Sequence, residues 1–279
     1  MQSINCNGQL VSLETPKIMG ILNVTPDSFY DGGLYKDSKS ILTQVSKMLT
    51  DGATFIDVGA YSSRPNAPHV SLEEEKQRLL PILELILTKF PDTILSVDTF
   101  RSEIAKAAID LGAAMINDIS AGNLDGNMMQ TVGELGVPYI MMHMQGTPKT
   151  MQQNPTYDNV LKDILLELSE KVALARSHKI KDIIIDPGFG FGKTIAHNYA
   201  ILSELKLFKF LELPVLAGVS RKSMIYKVLE TTPQEALNGT TVLHTIALQH
   251  GASILRVHDV KEAVECVKLV GQVLGVALL

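Results

Sequence analysis

Short apolar runs and longer amphipathic stretches alternate along the chain. The runs are Ile18–Leu22, Thr54–Val58, Ile94–Val97, Ala114–Ile116, Tyr139–Met142, Ile183–Ile185, Val215–Val219 and Ile254–Val257. Most are apolar without a break, as expected when both faces of a strand are buried in a parallel sheet. Between them the spacing predicts helices over Ser38–Asp51, Ser71–Lys89, Arg101–Leu111, Gly126–Leu135, Tyr157–His178, Ala196–Leu211, Lys222–Leu229 with Pro233–His250, and Val260–Leu274. Ser71 followed by Glu74 is a capping-box signature. Gly52, Gly112, Gly136 and Gly251 stand where helix ends call for a left-handed residue.

Eight βα units in a row specify a closed barrel or a doubly wound sheet. The count of eight favours the barrel, and 279 residues suit a fold that typically takes about 250. The expectation is therefore a single (β/α)8 TIM-barrel domain over residues 1–279. An Asn7-Gly8 turn between short extended runs predicts a hairpin that closes the barrel bottom.

Composition narrows the chemistry. Hydrophobic residues make up 46%, enough for a large core, and the net charge is −5 with no Lys/Arg-rich run. A nucleic-acid surface is therefore not expected. Cys6 and Cys266 read as separate thiols of a reducing compartment. There is no leader-like N-terminus and no run of 18 apolar residues, so a cytoplasmic protein without a membrane span is expected. Two Asn-x-Thr triplets, at Asn23 and Asn238, are then chance matches.

In such a barrel the C-terminal strand ends build the active site. Those ends carry Asn23, Asp57, Asp98, Asn117, His143, Asp186, Ser220, and the group Arg256, His258 and Asp259. A single one would be an ordinary helix cap or loop entry. All eight strands ending in polar groups points to a shared site. Asp98, Asn117 and Asp186 suit a flat heterocycle with several N–H groups, because a carboxylate can accept two parallel hydrogen bonds. Arg64, Arg221, Lys222, Arg256 and His258 suit an anion, most simply a phosphate.

Two motifs fail. Gly188 to Thr194 ends like a P-loop, but Pro187 occupies the place of its first glycine. The same stretch breaks the dinucleotide fingerprint at Lys193. His143 and His258 have no third ligand at a zinc spacing.

Several segments together resemble the dihydropteroate synthase family of pterin-binding enzymes. They are Met19 to Phe29, Asp57-Val58-Gly59 with Ser62 to Pro65, Ser96 to Thr99, Ile116 to Asp118, Met142 to Met144, Asp186 to Lys193, Ser220 to Ser223, and Arg256 to Asp259. They run in order from about residue 17 to 260. The resemblance implies a transferase of folate biosynthesis that condenses (7,8-dihydropterin-6-yl)methyl diphosphate with 4-aminobenzoate, by SN1-like loss of diphosphate. It implies catalytic roles for Asp98, Lys222 and Arg256. It implies a pterin pocket of Asp98, Asn117, Asp186 and Lys222, and a diphosphate site of Asn23, Ser63, Arg256 and His258. Asn23 would help to hold Mg²⁺. Phe29, Arg64, Pro65, Phe189 and Ser223 would form the 4-aminobenzoate subsite, the family's sulfonamide target. A homodimer is implied as well.

The second loop departs from the family pattern. Tyr61 replaces an acidic residue and Asn66 a glycine, which bears on loop shape and sulfonamide response. The rival expectations are a methyltetrahydrofolate-dependent corrinoid methyltransferase, a Schiff-base aldolase using Lys222, and a catalytically inactive pterin-binding protein. The methyltransferase has no diphosphate to hold, and the strand-end cations argue against it.

Overall fold

Period-two alternation decides what each strand turns inward. The strands are β3 (Lys17–Asn23), β4 (Phe55–Gly59), β5 (Ile94–Asp98), β6 (Met115–Asp118), β7 (Tyr139–Met142), β8 (Ile183–Asp186), β9 (Leu216–Ala217) and β10 (Ile254–Val257). All pair in parallel, in the order β8-β7-β6-β5-β4-β3-β10-β9. A parallel bridge between Ile185 and Val215 joins the two ends, with the Ile185 N–H donating to Pro214 O at 3.0 Å. The sheet thus closes as the eight-strand pattern requires. This computed structural model describes residues 2–24, 34–61, 69–148 and 150–275.

Each strand contributes one side chain to a lower apolar layer: Met19, Phe55, Ile94, Met115, Ile140, Ile184, Leu216 and Ile254. The hairpin of β1 (Ser3–Cys6) and β2 (Gln9–Ser12) packs Ile4, Cys6, Val11 and Leu13 against that layer. Its Asn7-Gly8 turn has φ of +51° and +86°, the left-handed pair that a two-residue hairpin turn needs. The barrel floor is therefore dry and plugged, as the sequence predicts. Two residues further along the same inward faces stand Asp57, Ser96, Asn117, Asp186 and Arg256. The opposite faces, among them Ile56, Val97, Ile116, Met141 and Leu255, join the larger core beneath the helices.

The helices are α1 (Leu34–Thr50), α2 (Leu72–Lys89), α3 (Ser102–Asp110), α4 (Met128–Leu135), α5 (Val160–Ser177), α6 (Ile195–Ser203), α7 (Ser223–Tyr226), α8 (Leu237–Gln249) and α9 (Val260–Leu274). Ser71 caps α2 by accepting from the Glu74 N–H at 3.2 Å. Only half of the expected capping box forms, because the Glu74 carboxylate pairs with Arg78 one turn on. The helix expected over residues 196–211 breaks at Glu204 into α6 and a 3-10 helix, Leu205–Leu211. Leu205 and Phe208, both buried, stand three apart and so face the core together in a three-residue turn. The helix expected from Lys222 to Leu229 shrinks to the single turn of α7, and α8 starts at Leu237 rather than Pro233. Among the described residues no helix is long and apolar enough to cross a membrane.

Candidate active site

The inward polar residues above the apolar layer bond to one another across the lumen. Asp57 on β4 is fully buried, and its Oδ2 accepts from Arg256 Nε at 2.6 Å and from Asn117 Nδ2 at 3.0 Å. The Arg256 Nη2 donates to Asp98 Oδ2 at 2.8 Å. Three strands and a fourth, β10, are thereby joined at one point. Asp57 Oδ1 and Ser96 Oγ are buried without a hydrogen-bond partner. Their strand positions pair in register, so the lumen keeps unspent polar capacity beside the Arg256 network.

Asp186 and Lys222 occupy the other side. A Cβ placed on Gly218 would lie 4.0 Å from Asp186 Oδ2 and 3.8 Å from Lys222 Nζ, so both flank the same bare stretch of β9 and its exit. Asp186 Oδ1 accepts from the Gly188 N–H at 2.7 Å. Lys222 Nζ donates to the Phe189 carbonyl and lies 4.8 Å over the Phe191 ring.

Enclosure tunes these charges. Burial drives the Asp98 carboxyl up to about 7 although Arg256 opposes it, and the Asp57 charge adds to the rise. Burial likewise raises Asp186, against the pull of Lys222 and the Gly188 N–H. It pulls the Lys222 ammonium down to about 8, against the attraction of Asp186. Burial also works against the Arg256 charge, but Asp57 and Asp98 outweigh it and hold the guanidinium above its ordinary value. The site thus contains one acid, Asp98, and one base, Lys222, drawn toward neutrality by their enclosure, as working acid–base sites do.

His258 stands at the rim. Its backbone N–H donates to Ser220 Oγ at 3.2 Å, and its Nδ1 lies 3.0 Å from the same oxygen. A hydroxyl that already accepts from the backbone has its own proton free for Nδ1, which leaves the imidazole proton on Nε2. Desolvation of the ring and the nearby Arg256 hold the imidazole below its ordinary value.

Structure and sequence differ over two residues. Between the loop glycines Phe189 and Phe191 both read as flat packing surfaces beside a ligand, and the resemblance singles out Phe189 for the aryl-amine subsite. The Phe189 ring is 0% exposed in the core beneath the helices, and only its carbonyl faces Lys222. Phe191, two residues on and half-buried, presents the ring. Gly190, with φ +81°, turns the chain between them. Arg221 was grouped with the anion-binding cations. It is instead held by Asp259 through two bonds, at 2.7 and 2.8 Å, and by the carbonyls of Pro233 and Gln234. Asp118, in the Asn117-Asp118 motif, faces outward and accepts from the Tyr139 hydroxyl at 2.6 Å. Ser223 begins α7, whose N-cap Lys222 makes no side-chain capping bond, so the first N–H groups of that turn stay open. Phe29, Ser63, Arg64, Pro65 and Asn66 lie outside the described residues.

From the sequence, Asp57 is one of the polar strand ends of the shared site but has no role of its own, and Lys193 has none. For Asp57 a signal existed, since it has the inward parity of Phe55 two residues earlier. For Lys193 none did, because its partners come from distant loops. Tyr61 packs edge-on against Phe100, with centroids 4.9 Å apart, and Arg101 lies 5.5 Å from its ring centroid. Arg101 pairs with the buried Glu75, which also accepts from Thr99 Oγ1 at 2.8 Å and so steadies the residue next to Asp98.

The donor chemistry accommodates a hard divalent cation. Among the described residues no group of three or more His, Cys, Asp and Glu side chains could hold a metal ion by itself. Asn23, exposed at the end of β3, offers a single amide oxygen. That fits a magnesium-type ion, which takes one or two protein oxygens and completes its shell with water and substrate phosphates.

Sequence and structure comparisons agree with this geometry. The family described as pterin binding enzyme matches residues 19–258. The dihydropteroate synthase of Escherichia coli strain K12 is 44% identical over 265 residues, covering 94% of this chain and 93% of that protein. The structure of Yersinia pestis dihydropteroate synthase in complex with a sulfonamide drug superposes with a TM-score of 0.92 at 40% identity, covering 98% of this chain and 100% of that one. Xanthomonas albilineans dihydropteroate synthase with 4-aminobenzoic acid has a TM-score of 0.90 at 37% identity, with 99% of both chains covered.

Proposed function

We propose a residue-level mechanism on the premise that this chain belongs to the pterin-binding enzyme family and carries out the dihydropteroate synthase reaction. That reaction condenses (7,8-dihydropterin-6-yl)methyl diphosphate with 4-aminobenzoate to give 7,8-dihydropteroate and diphosphate. The pterin lies in the lumen. Asp186 accepts from its amino-pyrimidine edge, Asn117 adds its amide, and Lys222 donates to a ring acceptor. Asp57 sits behind them as the anchor of Asn117 and Arg256.

The diphosphate lies at the rim between Asn23, Ser63, Arg256 and His258. Arg256 spends two of its five N–H donors on Asp57 and Asp98, so three stay available to phosphate oxygens. The Nε2–H of His258 donates outward. Asn23 would hold Mg²⁺, which when bound supplies Lewis-acid charge neutralisation to the diphosphate.

The bond between the exocyclic carbon and the diphosphate oxygen breaks first, and the electron pair leaves with diphosphate. Positive charge then develops on the pterin methylene. The Asp98 carboxylate, held beside it by Arg256, favours that charge electrostatically. The nitrogen lone pair of 4-aminobenzoate attacks the methylene. The resulting anilinium is acidic enough to pass its proton to water, so no strong base is needed.

The aryl amine lies between the Phe191 ring, which replaces Phe189 in this role, and loop residues Phe29, Arg64 and Pro65. Its carboxylate meets the open N–H groups at Ser223. A sulfonamide that imitates the aryl amine would occupy the same place. Two copies of the chain pair through α8 and α9, and the enzyme works in the cytoplasm, where the free, buried Cys6 and Cys266 stay reduced.

The observation that carries this assignment is the bonded group Asp57–Arg256–Asp98 facing Asp186 and Lys222 across one lumen. The test is diphosphate release measured with pterin diphosphate, Mg²⁺ and 4-aminobenzoate, leaving out each in turn, for wild type and Asp98→Asn. Release should need all three and should fall by about 100-fold or more in the variant, the scale seen when one transition-state electrostatic group is lost. Full turnover in Asp98→Asn would reject its role.

A further inference from the structure

The loop from Gly188 to Lys193 carries glycines with φ of +72°, +81° and +62° at 188, 190 and 192. Such a sequence leaves an unsupported loop many shapes to sample. Here its carbonyls are taken one after another by side chains. Phe189 O accepts from Lys222 Nζ, and Gly190 O from Gln152 Nε2 at 2.6 Å. Phe191 O accepts from Lys193 Nζ at 2.9 Å, and Gly192 O from the Tyr157 hydroxyl at 2.7 Å.

Lys193 ties this loop to the barrel. It is 3% exposed. Besides Phe191 O, its ammonium faces His143 Nδ1 at 2.9 Å and His143 O at 3.3 Å, three acceptors for three protons. His143 directly follows β7, and its Nε2 lies 3.3 Å from Glu167 Oε2 on α5. An Nδ1 that accepts from an ammonium keeps the imidazole proton on Nε2, where it can be donated to Glu167. Burial pulls Lys193 down to about 7, while Asp186 and Glu167 favour its charge. A buried cation of this kind stabilises less than an apolar side chain would if filling space were its whole purpose. All three of its protons are spent inside the protein, so it has none for a substrate.

We propose that Lys193 is a positioning residue for the aryl-amine half of the reaction: by bonding Phe191 to the end of β7 it holds the Phe191 ring in its working place without touching substrate. This rests on the assignment of Phe191 to the 4-aminobenzoate subsite. The pterin-facing groups Asn117 and Asp186 stand on strands and do not need the clamp.

Lys193→Met keeps the length and the apolar stem and removes the donors. Its KM for 4-aminobenzoate should rise about tenfold while kcat and the calorimetric affinity for the pterin diphosphate stay within about threefold. An unchanged KM with a lowered Tm would make Lys193 a support of the fold alone and overturn the proposal. An equal loss of pterin-diphosphate affinity would overturn it too. Tyr157→Phe removes only the neighbouring bond to Gly192 O, and should raise the same KM by about threefold. Should Lys193→Met fail to fold, an unchanged KM in Tyr157→Phe overturns the proposal by itself. Phe191→Ala separates the two layers of inference. An unchanged KM there refutes the subsite assignment and the clamp with it. A raised KM there, beside an unchanged one in Lys193→Met, refutes the clamp alone.

Discussion

Asp57 serves two donors with one oxygen, and its other oxygen is buried without a partner. Asparagine has nearly the same shape but brings an amide N–H₂ where only acceptors are wanted. It also leaves the Arg256 guanidinium with Asp98 as its main counter-charge. Breaking a buried pair from one side destabilises by roughly 3 kcal/mol. Asp57→Asn should therefore lower stability by about that much in a denaturant titration, and an unshifted midpoint would contradict the network. The pH profile belongs to the same scale. An acid raised to about 7 is charged above that pH and loses its charge as pH falls through it. An ammonium lowered to about 8 is charged below that pH and loses its charge as pH rises through it. The kcat/KM for pterin diphosphate reports the free enzyme, so it should peak between those limits, with apparent values belonging to the coupled groups. Asp98→Asn should remove the acidic limb from whatever activity remains.

Secondary-structure elements divide cleanly into floor and rim. The β1–β2 hairpin seals the floor and is remote from the polar layer. Ile4→Ala removes a 1% exposed side chain from the plug and should cost about 3 kcal/mol by denaturation. Turnover measured well below the melting temperature should stay at the wild-type level; a parallel loss of turnover would mean that floor and rim are coupled. At the rim, Gly188 has φ +72°, and a Cβ there would sit 1.9 Å from the His143 carbonyl oxygen. No side chain can relieve a backbone clash of that size. Gly188→Ala should displace the loop that carries Phe191 and Lys193, and near-normal 4-aminobenzoate kinetics would rule out a rigid loop. Elements governed by local rules were legible in advance. The apolar strand runs, the Asn7-Gly8 turn and the bounds of α9 all follow from short-range sterics and periodicity. The break at Glu204 and the shortness of α7 were not, because each depends on which neighbours the residues meet.

At the scale of the whole molecule, the outer helices retain apolar surface. Val242 on α8 and Leu269, Val273 and Leu274 on α9 are all more than half exposed, at 51%, 69%, 75% and 54%. The two helices pack side by side, which supports placing the subunit interface there. Sedimentation velocity should give a dimer for the wild-type chain. Leu269→Glu combined with Val273→Glu should give a monomer, because burying two carboxylates at a contact costs far more than the contact returns. A dimer that survives the double substitution would move the interface elsewhere.

Within the chain, the order of eight βα units, the polar strand ends Asp98, Asn117, Asp186 and Arg256, and the hairpin below them could be read from spacing alone. These depend on a two-residue strand period and on turn chemistry, which act between near neighbours. Folding decided the rest. Arg256 meets Asp57 across 199 positions, and Lys193 meets His143 across 50. Arg221 is claimed by Asp259, and a turn at Gly190 sets the ring of Phe191 rather than that of Phe189 against Lys222. Such outcomes depend on where a closed barrel brings its loops together, and no local pattern carries that distance information.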